Sequence, residues 1–153
     1  MAKHKDAQLN KNSQTLQKLW DAYPWPPEIK YSSGGYSNEC AIRMSIAIEG
    51  AAKAFFKSYT EPKSPEGWAR GAESLAIFLW KHHLGRPKIF SSTESFREAS
   101  MNAAGIVFYK DCFVRAGEKH KRGDHIDLWY NGTTMGFNDP NGDAEQVWFW
   151  SFY

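Results

Sequence analysis

Apolar residues recur at intervals of three and four along two stretches in the first half of the chain. Residues 38–57 carry Ala41, Met44 and Ile48 on one stripe, and residues 67–83 show the same spacing. Such spacing collects apolar side chains on one face of a helix. The sequence therefore predicts two long helices there, and shorter helices over 13–22 and 93–101.

The period changes in the second half of the chain. Residues 105–109 and 125–130 are rich in β-branched and aromatic residues and predict strands. Asn131-Gly132 is the preferred dipeptide of a type I′ hairpin, so 133–137 is expected to be a return strand. A last strand is expected over 146–153. Helices packed on one face of a mainly antiparallel sheet make an α+β fold.

The chain is expected to form one domain over 1–153, with 1–12 as a loose arm, because no repeat or linker interrupts it. Its 153 residues are 42% hydrophobic and 16% aromatic, which is enough for a core. A net charge of +2 gives no reason to expect nucleic acid binding. No apolar run approaches the roughly 18 residues of a membrane span, and the N-terminus does not resemble a signal peptide. No cofactor or metal motif is present.

Two residues far apart in the sequence suggest thiol chemistry. Cys40 follows a Gly/Ser/Tyr-rich loop at 31–36 and falls at the predicted start of a helix. A helix N-terminus favours thiolate over thiol. His125 lies on a predicted strand and could act as its base. The sequence therefore predicts a cysteine hydrolase in which the Cys40 backbone N–H is a candidate oxyanion donor.

Three carboxylates are candidates for the group that orients the histidine. Asp139 follows the return strand and could fold back beside His125, so it is the preferred candidate. Asp127 is two residues from His125 and would share its face of a strand. Asp143 is a third option.

The remaining cysteine and the loop aromatics have simpler interpretations. Cys112 ends an apolar strand and is expected to be a buried small residue. We expect no bridge between Cys40 and Cys112, since it would silence the nucleophile. Trp25, Tyr36 and Ser37 lie on loops before Cys40 and are expected to line the substrate groove.

Four motifs in chain order carry a specific resemblance. They are NECAIRMS at 38–45, RGAESLA at 70–76, GIVFYKD at 105–111 and HIDLW at 125–129. Together they resemble the fourth family of type VI secretion amidase effectors. That family belongs to the NlpC/P60-like branch of the papain-like fold, and the resemblance extends from about Leu19 to Trp150.

The resemblance implies an antibacterial toxin that is made without a signal peptide and delivered to the periplasm of a target bacterium. Such toxins cleave the amide between D-glutamate and meso-diaminopimelate in the stem peptide of peptidoglycan, without a cofactor. The type VI secretion machinery and a cognate immunity protein are the implied partners. Carried over by residue, Cys40 is the nucleophile, His125 the base and Asp139 the third member. A lid-stapling disulfide found in some relatives is expected to be absent.

Two other functions remain open from the residues alone. The chain could be a catalytically inactive papain-like module that binds cell-wall peptides or a partner. It could also be a deamidase or transferase that uses the same thiol on the same fold. An intact Cys40–His125 pair argues against the inactive module.

Overall fold

The computed structural model describes residues 8–115, 117–136 and 143–153. Within these residues the chain forms four α-helices and five β-strands. The helices are α1 (Ser13–Ala22), α2 (Cys40–Ala51), α3 (Ala72–Leu79) and α4 (Thr93–Ser100). The strands are β1 (Lys88–Phe90), β2 (Ala104–Val114), β3 (Lys121–Tyr130), β4 (Thr133–Thr134) and β5 (Gln146–Ser151).

The strands form one antiparallel sheet in the order β1-β5-β2-β3-β4. The longest strand, β2, lies at the centre and pairs with β5 on one side and β3 on the other. Helices α2 and α3 both pack against β3. This architecture confirms the predicted α+β class. No helix within the described residues is long and apolar enough to cross a bilayer.

Successive residues of the central strands face two separate groups of buried side chains, because side chains alternate along a strand. The group that we call the helix-side core combines Ile106 and Phe108 of β2 with the apolar side chains of α1, α2 and α3. The second group, the α4-side core, combines Val107 and Tyr109 of β2 with Phe96 of α4. Cys40 belongs to the helix-side core and Cys112 to the α4-side core.

Helix α2 ends at Ala51, six residues before the predicted end. Ala54 takes a left-handed conformation with φ of 66°, and its N–H donates to the Glu49 carboxylate at 2.7 Å. This side-chain acceptor replaces the helical carbonyl, so the chain leaves the helix. It continues as a 3₁₀ turn at Phe55–Ser58.

Helix α3 begins at Ala72, several residues after the predicted start at about 67. The preceding segment is extended, and Ala69 pairs with Lys63 in an isolated β-bridge. The N–H of Ala69 donates to the Ser45 hydroxyl at 3.1 Å, which fastens this segment to α2. Tertiary hydrogen bonds therefore satisfy backbone groups that the periodicity assigned to a helix.

The remaining differences concern short elements. Strand β1 was not predicted, because three residues are too few to show alternation. The return strand expected over 133–137 is limited in the described residues to Thr133–Thr134. Of the loose arm expected over 1–12, residues 1–7 lie outside the described residues, and Leu9 is 1% exposed and packs in the helix-side core.

Candidate active site

Cys40 is the first residue of α2, as predicted, and its side chain is 3% exposed. Its Sγ lies 3.8 Å from the carbonyl oxygen of Asp124, at the start of the strand segment that carries His125. The Cys40 N–H donates to the Asn38 side-chain oxygen at 3.0 Å. The backbone donor expected to bind an oxyanion is therefore engaged by a local side chain.

His125 projects from β3 and forms a hydrogen bond with a buried carboxylate. Its Nε2 is 2.8 Å from Oδ2 of Asp127. The Cys40 side chain is the other neighbour whose hydrogen bonding and charge raise the pKa of the imidazole. The ring is stacked on Tyr109, the residue opposite it on β2, with 6.0 Å between centroids. The structure thus brings together Cys40 and His125, which are far apart in the sequence.

Asp127 is fully buried and accepts hydrogen bonds on both carboxylate oxygens. While Oδ2 contacts His125, Oδ1 accepts from the N–H of Leu128 at 2.7 Å and from the N–H of Gly136 at 2.8 Å. A buried carboxylate with this many donors is held in one orientation. Asp127 is therefore well placed to fix the plane of the His125 ring.

The protonation of His125 follows from these contacts. Burial opposes a charged ring and by itself would lower the pKa. The hydrogen bonds to Asp127 and Cys40, and the negative charge of both partners, outweigh burial and raise the pKa of His125 from 6.5 to about 10. At neutral pH the imidazole carries its proton and faces the Cys40 sulfur as a cation.

Two other carboxylates, Asp143 and Asp124, each accept a hydrogen bond from a backbone N–H. Asp139, the preferred third member, lies outside the described residues. Asp143 accepts from the Thr93 N–H at 2.8 Å, at the start of α4. Asp124, next to His125, accepts from the Asp111 N–H at 2.9 Å, and burial raises its pKa. Among the described carboxylates, Asp127 is the one that contacts the histidine.

Two carboxylates shape the loop that precedes Cys40. Buried Glu39 accepts from the N–H groups of Tyr31 and Ser32 at 2.6 and 3.2 Å. Glu66 accepts from the N–H of Ser33 and from the hydroxyls of Ser33 and Ser32. These bonds, the Ser33 N–H first, lower the pKa of Glu66 to about 2. The carboxylates of Glu39 and Glu66 therefore hold the loop that precedes the nucleophile.

The three residues expected to line a groove lie on this loop or just before it. Trp25 is 68% exposed and Ser37 is also exposed. Tyr36 is half-buried, with the Arg70 guanidinium 5.6 Å from its ring centroid. All three are accessible, and their contact with a substrate stays a prediction.

A buried polar group behind the site is formed by Tyr23 and Arg43, and sequence reasoning missed the tyrosine as the partner of this arginine. Arg43 lies one turn after Cys40 on α2 and is 8% exposed, and its Nε donates to the Tyr23 hydroxyl at 3.2 Å. A signal was present, since Arg43 is the single charged residue in the run CAIRMSIAI at 40–48. A charge on an otherwise apolar helix indicates a buried polar partner.

No group of three or more His, Cys, Asp or Glu side chains among the described residues could hold a metal ion. What the site offers is a thiol at a helix start, an imidazolium beside it and a carboxylate that orients the ring. This is the arrangement that nucleophilic acyl transfer needs.

A family model and several solved structures match this chain. The model described as type VI secretion system amidase effector protein 4 (Tae4) matches residues 36–150. The Tae4 effector from Enterobacter cloacae is 12% identical, with a TM-score of 0.63 over 98% of this chain and 99% of that one. No curated protein matches the sequence.

Two further structures are effector–immunity complexes. Tae4 from Salmonella typhimurium, in complex with the immunity protein Tai4 from Enterobacter cloacae, is 18% identical with a TM-score of 0.60, over 89% of this chain and 97% of that one. The effector in the Tae4–Tai4 complex from Enterobacter cloacae is 16% identical, with a TM-score of 0.52 over 74% of this chain and 74% of that one. At these identities the structural likeness establishes the fold.

Proposed function

We propose that Cys40 is the thiolate nucleophile of an amidase reaction. The premise is that the chain belongs to the type VI secretion system amidase effector 4 family. The observation that carries this proposal is the contact of His125 with both Cys40 and Asp127. A thiol at a helix start, a base and an orienting carboxylate form the minimal set for acyl transfer through a thioester.

The mechanism starts from an imidazole that carries its proton beside the Cys40 sulfur. The raised pKa of His125 supports this starting state, because the ring keeps its proton at neutral pH. The Cys40 thiolate attacks the amide carbonyl carbon and a negative charge forms on the carbonyl oxygen. The carbon–nitrogen bond then breaks as His125 donates its proton to the leaving amine.

Deacylation uses the same groups in reverse. The imidazole, now neutral, takes a proton from a water molecule, which attacks the thioester carbon. The carbon–sulfur bond breaks, the acid product leaves, and the thiolate faces a protonated His125 again. Two steps through a covalent intermediate replace one difficult hydrolysis.

Asp127 is proposed as the group that orients the ring. Its contact at Nε2 leaves the other ring nitrogen, Nδ1, as the one that can face the Cys40 sulfur. Asp139 stays the prediction from the resemblance. Replacing each residue with Asn separates the two assignments, as set out in the Discussion.

The oxyanion donor requires a local rearrangement. The Cys40 N–H points to the Asn38 side-chain oxygen, and Asn38 is exposed. We propose that the substrate carbonyl oxygen displaces this side chain and takes its hydrogen bond. A backbone N–H at a helix start then stabilises the negative oxygen of the tetrahedral intermediate.

The proposed substrate is the peptide stem of peptidoglycan, cut between D-glutamate and meso-diaminopimelate in the periplasm of a target bacterium. Family membership supports the amidase class, and the resemblance of the sequence motifs supports this bond. The two effector–immunity structures support a cognate immunity protein as partner, since those effectors were solved with Tai4 bound.

The test is incubation of the purified protein with peptidoglycan sacculi, followed by separation and mass analysis of the released muropeptides. We expect stems that end at D-glutamate from the unmodified protein and from Cys112→Ala, and unchanged muropeptides from Cys40→Ala. Unchanged muropeptides from the unmodified protein under reducing conditions would refute the proposal. A transferred or deamidated product would identify the alternative chemistry.

A further inference from the structure

Arg43 is a buried cation that the proposed reaction does not use. Its side chain is 8% exposed, and no carboxylate in the described part of the chain forms an ion pair with it. Its hydrogen bond goes to the Tyr23 hydroxyl through Nε. Burying a charge is costly unless the surroundings compensate it. A buried arginine here therefore indicates negative charge nearby.

The Tyr23 hydroxyl accepts a hydrogen bond from Arg43 and lies close to the Asp127 carboxylate. Tyr23 Oη and Asp127 Oδ2 are each 2.6 Å from the point that a Cβ on Gly136 would occupy. Only a residue without a side chain fits between these two oxygens. Burial raises the pKa of Tyr23, the charges of Asp127 and Cys40 raise it further, and Arg43 lowers it. The charges of Cys40, Asp127 and Arg43 therefore all act on the Tyr23 hydroxyl.

The charges of the site explain why a cation is needed. In the active ion pair Cys40 and Asp127 are both negative, while His125 supplies one positive charge. Two buried anions and one cation leave an excess negative charge in a region of low dielectric. Arg43 supplies the second positive charge, one helical turn from Cys40.

Other ionisable groups also face this region. Glu39 adds negative charge at the start of α2 and is held by two backbone N–H groups, and Asp124 is held by the Asp111 N–H. Both increase the excess of negative charge. The ionisable side chains contributed by each packed element are Tyr23 after α1, Tyr31 and Glu39 from the loop, Tyr109 and Cys112 from β2, and Asp124, His125 and Asp127 from β3.

We infer that Arg43, oriented by Tyr23, is a positioning residue whose buried positive charge stabilises the Cys40 thiolate and the Asp127 carboxylate at the same time. Arg43 acts through these groups and does not contact the scissile amide. The inference deepens the proposed function, because it rests on the same thiolate.

The experiment measures the rate at which iodoacetamide alkylates Cys40 between pH 5 and 9, with peptide mass analysis to separate Cys40 from Cys112. It needs no substrate, so its result is independent of which bond the enzyme cuts. The variants are Arg43→Met, Arg43→Lys and Tyr23→Phe. Tyr59→Phe is the matched control, since the Tyr59 hydroxyl is buried without a hydrogen-bond partner among the described residues.

Arg43→Met should move the acid limb of the alkylation profile upward by about one pH unit, which is a roughly tenfold slower reaction near pH 6. Arg43→Lys keeps the charge and should recover most of the rate. Tyr23→Phe should give a smaller shift in the same direction, and Tyr59→Phe should match the unmodified protein. Circular dichroism and thermal unfolding confirm that each variant is folded.

Two results would overturn the inference. One is a folded Arg43→Met whose alkylation profile matches that of the unmodified protein. The other is an Arg43→Lys as slow as Arg43→Met, which would assign the arginine to packing. If Arg43→Met does not fold, Tyr23→Phe decides, because it removes a single hydroxyl. An unchanged profile for Tyr23→Phe would then contradict the orienting role. If instead the proposed function is wrong, the muropeptides stay uncut while the alkylation profiles of the variants still shift as predicted.

Discussion

Cys40 and Cys112 are equally buried, yet their surroundings differ completely. Cys40 is 3% exposed and Cys112 is 2% exposed, and neither forms a disulfide. Cys40 begins a helix, beside a protonated imidazole. Cys112 lies on β2 in the α4-side core, where burial, and then the charge of Asp124, raise its pKa to about 12.

The comparison shows that burial alone does not decide whether a cysteine is reactive. The thiolate is the reactive form, and it needs a compensating positive charge when it is withdrawn from water. Cys40 has the His125 imidazolium as that charge. Cys112 is surrounded mainly by apolar and aromatic side chains, and its nearby charges are negative.

The largest effect expected from this difference is on hydrolysis. Cys40→Ala should lower muropeptide release at least about 10³-fold, because the nucleophile is removed. Cys112→Ala should keep activity within a few-fold of the unmodified protein, at a cost in stability from the small cavity. Both rates can be measured by chromatography of digested sacculi. An equal loss of muropeptide release in the two variants would contradict the proposed difference between the cysteines.

A second prediction concerns the carboxylate that distinguishes the Cys40 region. Asp127→Asn should lower kcat roughly 10²- to 10⁴-fold, because the ring loses its orientation and the imidazolium loses its counter-charge. Asp143→Asn is the matched control, since its carboxylate caps α4 away from the histidine.

Asp139→Asn is measured in the same assay. A greater loss of activity in that variant than in Asp127→Asn would identify Asp139, the residue preferred from sequence, as the carboxylate that orients His125. A loss in the Asp143→Asn control as large as in Asp127→Asn would show that the effect is not specific to the histidine.

The third prediction concerns stability. The pKa of His125 is raised to about 10 in the folded protein, above the unperturbed value near 6.5. Its contribution to the free energy of unfolding is therefore fully present below about pH 6.5 and is lost as the pH rises through 10. Urea unfolding of the unmodified protein and of His125→Gln should differ most near pH 6, on the order of a few kcal/mol. A difference that grows with pH would contradict the raised pKa.

Much of the fold could be predicted because local patterns coincide with the tertiary structure. Three-and-four spacing predicted α1, α2 and α3, and the hairpin dipeptide at Asn131-Gly132 lies between β3 and β4. Helix ends were harder to predict, because the backbone N–H groups of Ala54 and Ala69 donate to the side chains of Glu49 and Ser45. Such contacts have no periodic signal.

Cys40 and His125 could be proposed from residue type and predicted position, and the structure places them in contact. The sequence favoured Asp139 over Asp127, and this choice stays a prediction, because it depends on how the chain turns after β3. Arg43 and Tyr23 were harder still. Their roles arise from the packing of α1 on α2, and the sequence shows only an isolated charge on an apolar helix.

The most direct test of the account is the reactivity of the two cysteines toward iodoacetamide at pH 7, with and without His125. In the unmodified protein Cys40 should be alkylated at least about tenfold faster than Cys112, and His125→Ala should remove most of that difference. Mass analysis of the two cysteine peptides gives both rates from one sample. If Cys40 reacts no faster than Cys112, or reacts equally fast without His125, then Cys40 is not the activated thiolate that the account requires.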